Sequence, residues 1–273
     1  MDQPDSSKPS LAGTVAVVTG STQGIGAGIA RKLAGQGARV VVHGLEKQLA
    51  GGEKVLAEIR AAGSDGALLV GDLKQEAHCR EVIHLALERF GRLDTLVNNA
   101  GVVHRGTIED TSVALWDEIL AVNLRAHFIL CQEAVKHMKE RRSGCIVNIG
   151  SVNAHIGLRN LLPYSASKGG LMTFSLNLAN YLSQYRIRVN LINPGWVLTE
   201  GEHYVQSIVE GQGENWLEEA LKSRPFGRMI LPEDIGNAVL FFATNELISG
   251  AVLDYEQSPF GAPGDLWRET EKP

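Results

Sequence analysis

Short runs dominated by apolar residues alternate with longer stretches in which apolar positions recur every three or four residues. The short runs, rich in β-branched residues, lie at 14–19, 39–43, 67–70, 93–98, 145–149, 187–192 and 251–254. Strands read this way when both faces are buried. The longer stretches lie at 25–34, 47–61, 75–90, 164–185 and 232–244, with two more within 112–141. They carry the helical period. Strand and helix in turn predict an α/β fold, a parallel sheet covered on both faces with right-handed crossovers.

Punctuation supports the boundaries. Gly35, Gly37, Gly63 and Gly91 follow helical patterns, where a left-handed residue ends a helix. Pro232-Glu233-Asp234 opens one, with acid at the positive end of the helix dipole. Residues 1–11 are polar and aperiodic and are expected to form a flexible tail; 12–273 is expected to be one domain. The stretch 200–226, with Trp216 and Leu217, interrupts the rhythm between the sixth and seventh strands. An excursion of this length is expected to be a substrate lid, at about 197–228. The alternative is an ordinary pair of surface helices.

Composition narrows the class. The 273 residues are 44% hydrophobic and 21% charged with 30 Gly, which excludes a disordered, collagen-like or coiled-coil chain. A net charge of −5 gives no basic footprint for nucleic acid. The apolar runs are too short to span a bilayer and the first residues carry no signal pattern, so a cytoplasmic protein with no membrane partner is expected. Cys79, Cys131 and Cys145 have neither metal-site spacing nor a disulfide framework, and no metal is expected.

The chemistry begins at the first strand. It runs into Thr19-Gly20-Ser21-Thr22-Gln23-Gly24-Ile25-Gly26, which opens a helix. Glycines there let the backbone approach a pyrophosphate, and the helix N-terminus supplies N–H donors. A glycine turn with no ligand has the same local sequence. At the end of the second strand, where an acid takes a ribose hydroxyl or a basic residue a ribose phosphate, the chain reads Gly44-Leu45-Glu46-Lys47. Without a carboxylate, Gly44 leaves room for a phosphate and Lys47 can assist; Glu46 argues the other way. The balance leans to NADP over NAD. Asp72, beside Leu73, either accepts from an adenine amino group or caps the following helix. Asn99-Ala100-Gly101 permits close backbone approach after the fourth strand.

Tyr164 and Lys168 stand four residues apart on one helix face. A free phenol titrates at about 10, and a neighbouring ammonium is expected to pull that value toward neutrality. Ser151 ends the fifth strand, thirteen positions before Tyr164, where it can converge on the same carbonyl oxygen or serve as a turn residue.

These motifs, in this order, resemble the one-domain short-chain dehydrogenase/reductase family. The match runs through Thr19-Gly20-x3-Gly24-Ile25-Gly26, Asp72, Asn98-Asn99-Ala100-Gly101, Asn123, Ser151, Tyr164-x3-Lys168 and Asn193-Pro194-Gly195-x3-Thr199. The resemblance implies a doubly wound, Rossmann-type sheet of seven parallel strands binding a nicotinamide dinucleotide. It implies Tyr164 as proton donor or acceptor, Ser151 as the group polarising the substrate oxygen, and Lys168 as a ribose ligand that lowers the Tyr164 pKa. Asn123 would position a relay water. Backbone at Ser21, Gln23 and Ile25 would meet the dinucleotide, and Pro194, Gly195, Val197 and Thr199 its nicotinamide end. A homo-oligomer, tetramer or dimer, is implied as well.

The chain departs from the family at Leu253-Asp254-Tyr255-Glu256, where Asp-Gly-Gly is common. The reaction expected is hydride transfer between nicotinamide and a secondary alcohol or ketone. Asn153, Trp196 and His203, with Ser151 and Tyr164, are the substrate-binding candidates, and their polarity favours a sugar, polyol or hydroxy acid. A 3-oxoacyl-[acyl-carrier-protein] reductase is the alternative enzyme. A non-catalytic dinucleotide sensor is the alternative of another class.

Overall fold

A computed structural model of the chain describes residues 10–258. Seven parallel strands form one sheet in the order β3-β2-β1-β4-β5-β6-β7. They are β1 (Val15–Val18), β2 (Arg39–Gly44), β3 (Gly66–Val70), β4 (Thr95–Asn98), β5 (Gly144–Ile149), β6 (Ile187–Pro194) and β7 (Val252–Tyr255). Each expected strand is present, with ends shifted by one or two residues. Val15 and Val17 enter the core on one face of the sheet, Ala16 and Val18 the core on the other. That two-sided burial is why β1 reads as an unbroken apolar run.

The first core is closed by α1 (Gly24–Gly35), α2 (Leu49–Ala61) and α10 (Pro232–Thr244), through Ile29, Leu33, Ile59, Val239 and Phe242. The second is closed by α3 (Glu76–Phe90), α5 (Ala126–Arg141) and α7 (Leu162–Leu182), through Ile83, Leu130, Met138 and Leu182. Strand order reverses between β1 and β4, so a crevice opens beyond their carboxyl ends. Among the described residues no helix is long and apolar enough to cross a membrane.

Three local differences from expectation bear on the site. The pair of helices within 112–141 is α4 (Val113–Leu120) and α5, joined without a break by a π-turn at Ala121–Arg125. A short α6 (Asn153–Ile156), unforeseen in the sequence, follows Ser151. Leu11, assigned to the tail, is 6% exposed and packs in the first core. The remainder of the expected tail, up to residue 9, and the segment 259–273 lie outside the described residues.

The excursion after β6 contains α8 (Glu200–Tyr204), a π-turn at Val205–Val209 and α9 (Trp216–Lys222). Trp216 is buried in a small cluster of its own with Ala220 and Met229, against which Trp196 and Leu198 pack. Arg224 ties this unit to the end of β7: its guanidinium lies 3.5 Å from the Glu256 carboxylate and 5.3 Å over the Trp196 ring.

Candidate active site

The crevice is built first by stitching the ends of β1 and β4. Thr19 Oγ1 accepts from the N–H groups of Asn99 and Ala100, each at 3.0 Å. Asn99 Nδ2 donates to the Thr19 and Gly20 carbonyls at 2.9 and 3.1 Å. Gly20 (φ 64°) passes so close that a Cβ there would stand 2.9 Å from Ala100 Cα, and a Cβ at Gly26 would collide with the Gly20 carbonyl. The start of α1 is thereby drawn down onto the turn. Its N-cap, Gln23, makes no side-chain cap, so the first N–H groups of α1 have no side-chain acceptor.

Ser21 does not fill the role expected of it. Its N–H donates to the His43 carbonyl at 2.7 Å, and its buried hydroxyl bridges Val18 O and the His43 N–H. The amide is spent on joining the turn to β2. His43 was not singled out in the sequence, yet its Nδ1 accepts from the Gly20 N–H at 3.3 Å. Burial, then the neighbouring His78, lowers its pKa from 6.5 to about 4.

A cleft of about 490 Å³ runs from Gly44, Leu45, Asp72 and Leu73, past Gly20 and Gly24, to Gly101 and Thr199. Its glycine cradle and uncapped helix start fit a dinucleotide. At the adenosine end Gly44 lines the cleft but has no room for a side chain. A Cβ there would collide with the Thr22 side chain, and Gln48 Oε1 accepts from Leu45 N–H (3.0 Å) and Thr22 Oγ1 (3.2 Å). Asp72 is not the cap of α3, which is Gln75; its Oδ1 accepts from the Lys74 N–H at 2.9 Å while it lines the cleft.

Beyond the Gly101 end stand the residues expected to carry the reaction. The π-turn swings Asn123 inward: its Oδ1 accepts from Val102 N–H (2.8 Å), and its Nδ2 donates to Val102 O (2.9 Å) and Ser167 Oγ (3.1 Å). Gly101 lies beside it and beside Lys168 Nζ. Lys168 is 3% exposed, donates to Ile149 O at 2.8 Å and lies 5.7 Å from the Tyr164 ring centre. Burial lowers its pKa to about 8. His127, one turn after Asn123 and also missed in the sequence, holds the Ala100 carbonyl at 2.9 Å.

The Ser151 hydroxyl stands close enough to the Tyr164 phenol to favour its ionised form. Asn153 donates to Ser151 Oγ from its N–H (3.2 Å) and Nδ2 (3.3 Å). With its lone pairs engaged, the serine is left to donate. The expected lowering of the Tyr164 pKa by Lys168 is not found. Burial raises it, the Ser151 hydrogen bond opposes that rise, and the Glu202 charge adds to it.

The loop after β6 frames the cleft through its backbone. Pro194 O accepts from Val152 N–H at 3.2 Å, the Gly195 N–H donates to Tyr255 O at 2.9 Å, and Val197 bridges to Ile230. Thr199 Oγ1 caps α8 by accepting from the Glu202 N–H at 3.0 Å. His203, expected to face substrate, has its Nδ1 taken by Trp216 Nε1 at 2.9 Å. Glu202, one residue earlier, faces the cleft instead. A single step along a helix turns the side chain by about 100°, which sequence alone did not resolve. Among the described residues no cluster of His, Cys, Asp or Glu suits a metal ion.

The sequence model described as short chain dehydrogenase matches residues 14–208. An uncharacterised oxidoreductase from Methylorubrum extorquens is 38% identical over 246 residues, 89% of this chain and 96% of its own. D-beta-hydroxybutyrate dehydrogenase from Cupriavidus necator is 35% identical over 90% of this chain and 97% of its own. The crystal structure of a putative short-chain alcohol dehydrogenase from Sinorhizobium meliloti superposes with a TM-score of 0.82 at 33% identity, covering 90% of this chain and 96% of the other. With the ordered motifs, the seven-stranded parallel sheet and this match, the chain belongs to the short-chain dehydrogenase/reductase family of oxidoreductases.

Proposed function

We propose that the protein is an NAD(P)-dependent oxidoreductase acting on a small polar secondary alcohol or its ketone. The observation that carries this reading is the Ser151–Tyr164 hydroxyl pair, with the buried Lys168 ammonium behind it. Gly20, Gln23, Gly24, Ile25 and Gly26 would hold the pyrophosphate, Asp72 and Leu73 the adenine, and Gly101, Lys168 and the 194–199 loop the nicotinamide riboside. The bound cofactor supplies or accepts the hydride.

This chain's residues supply the rest. Ser151, loaded by two donors from Asn153, turns its proton toward the substrate oxygen and polarises it. Tyr164 is kept protonated because burial disfavours the phenolate, so it is in the form that can donate in carbonyl reduction, and Ser151 and Lys168 are left to ease the proton's departure. Lys168 places positive charge beside the phenolate that remains. Asn123 is locked by both of its amide groups and positions the relay expected to return a proton to Lys168.

The lean to NADP rests on the missing carboxylate at 44 and on Lys47, with Glu46 against it; the proposal keeps that lean, with both forms assayed. Lid, oligomer and location belong to the same proposal. Gly201, Glu202 and Val205 line the cleft from the 197–228 segment, exposed Phe128 and Tyr181 on α5 and α7 offer apolar surface to a second copy, and three free buried thiols suit the cytoplasm.

The test is a panel of sugars, polyols, hydroxy acids and 3-oxoacyl thioesters with NAD(H) and NADP(H). Turnover is expected for at least one member, and Tyr164→Phe is expected to lose at least about 10²-fold in kcat with dinucleotide affinity kept. Dinucleotide binding without turnover of any compound would favour the sensor reading and overturn this one.

A further inference from the structure

Thr199 starts α8 by capping the Glu202 N–H, and this sets the Glu202 side chain on the cleft wall with Gly201 and Val205. One carboxylate oxygen is clamped. Trp196 Nε1 donates to Oε1 at 2.6 Å and Gln206 Nε2 donates to the same atom at 2.7 Å. Gln206 is held in turn by Gln212 at 2.9 Å, and the Trp196 ring packs 5.8 Å from Trp216. The other oxygen, Oε2, accepts from no described residue, and no described cation pairs with the charge. The carboxylate is rigid, half-buried and only half-satisfied.

A second acceptor, this one buried, stands beside Ser151. Asn153 spends its Nδ2 on Ser151, but its Oδ1 is buried and has no partner among the described residues. Glu202 is also within electrostatic reach of the reacting oxygen, since its charge opposes ionisation of Tyr164. For Asn153 Oδ1 the missing donor is costly until a ligand supplies it. A carboxylate in a low-dielectric cleft also repels a second anion.

We propose that Glu202, with Asn153 Oδ1, reads the group next to the reacting carbinol, selecting a hydroxyl or ammonium donor and rejecting a carboxylate. Neither residue donates or accepts the transferred hydride. They set which alcohol lies in the cleft. Resting on the oxidoreductase reading above, this narrows the substrate class to polyols, sugars and amino alcohols and removes hydroxy acids.

Three compounds share one secondary carbinol and differ only in the adjacent group: propylene glycol, isopropanolamine and lactate. The wild-type protein is expected to favour the diol and the amino alcohol over lactate by at least about tenfold in kcat/KM. This readout needs no variant. Glu202→Gln is expected to close most of that gap and Glu202→Asp to retain it. Preference for lactate, or an order that Glu202→Gln leaves unmoved, overturns the assignment while leaving the oxidoreductase reading intact. So does turnover of the wider panel when these three are inert both as substrates and as competitive inhibitors. If no compound is turned over with either dinucleotide, the oxidoreductase reading fails and this assignment with it.

Discussion

The backbone N–H of Ser151 donates to Oδ1 of Asn193 at 3.0 Å, and Asn193 Nδ2 donates to the Asp254 carboxylate at 2.8 Å. His155 Nε2 lies 2.9 Å from the same carboxylate oxygen. The end of β7 is thus wired to Ser151, the residue proposed to polarise the substrate oxygen. Asp254→Ala is expected to lower kcat several-fold through a looser Ser151 while dinucleotide affinity holds. Asn193→Ala is expected to do more, since it strands a buried N–H at a cost of about 1–3 kcal/mol. Steady-state kinetics with dinucleotide titrations check both; equal loss of cofactor affinity would refute the wiring.

Lys168 gives the reaction a pH limb. Burial places its pKa at about 8, so the ammonium beside Tyr164 is present below that pH and lost above it. In the reduction direction kcat/KM is expected to fall as pH rises through about 8, because kcat/KM reports the free enzyme. Lys168→Arg keeps its charge over the whole range and is expected to remove this limb, at whatever activity it retains. A limb that persists in Lys168→Arg assigns it to another group.

Gly44 is fixed by packing against Thr22, so a side chain there is expected to destabilise the fold before it changes any cofactor preference. Gly44→Ala should cost about 1–3 kcal/mol, the usual range for overpacking. In a Thr22→Ala background the cost should shrink, because the colliding Cγ2 and Oγ1 atoms are gone. Denaturant unfolding of the four proteins measures the coupling; additive effects would show that the two residues do not meet.

His43 makes the glycine turn sensitive to acid. Folded, it stays neutral down to about pH 4 and accepts from Gly20; unfolded, it takes a proton near its ordinary 6.5. The unfolded chain binds more protons between these values, so stability is expected to fall as pH drops from 6.5 toward 4. The shift corresponds to about 3 kcal/mol as an upper figure. His43→Gln, which keeps an acceptor for Gly20 but does not titrate, should flatten that fall in thermal midpoint. An unchanged slope would place the acid sensitivity elsewhere, His127 being the next candidate.

The order of elements was legible because strands sandwiched between helices are dominated by apolar and β-branched residues, even where β6 interposes Arg188 and Asn190. Ser151, Tyr164 and Lys168 were legible because strand end and helix period fix where such residues face. Contacts between distant segments left no such trace. That Ser21 spends its amide on β2, that Thr22 and Gln48 fill the space beside Gly44, and that Glu202 rather than His203 meets the cleft depend on which atoms are brought together across tens to hundreds of residues. Periodicity reports which side of an element is buried; it does not report what lies opposite. The chain alone therefore determined the fold and nominated the reacting groups, and only the packed structure decided which neighbours are already taken and which acceptors remain open.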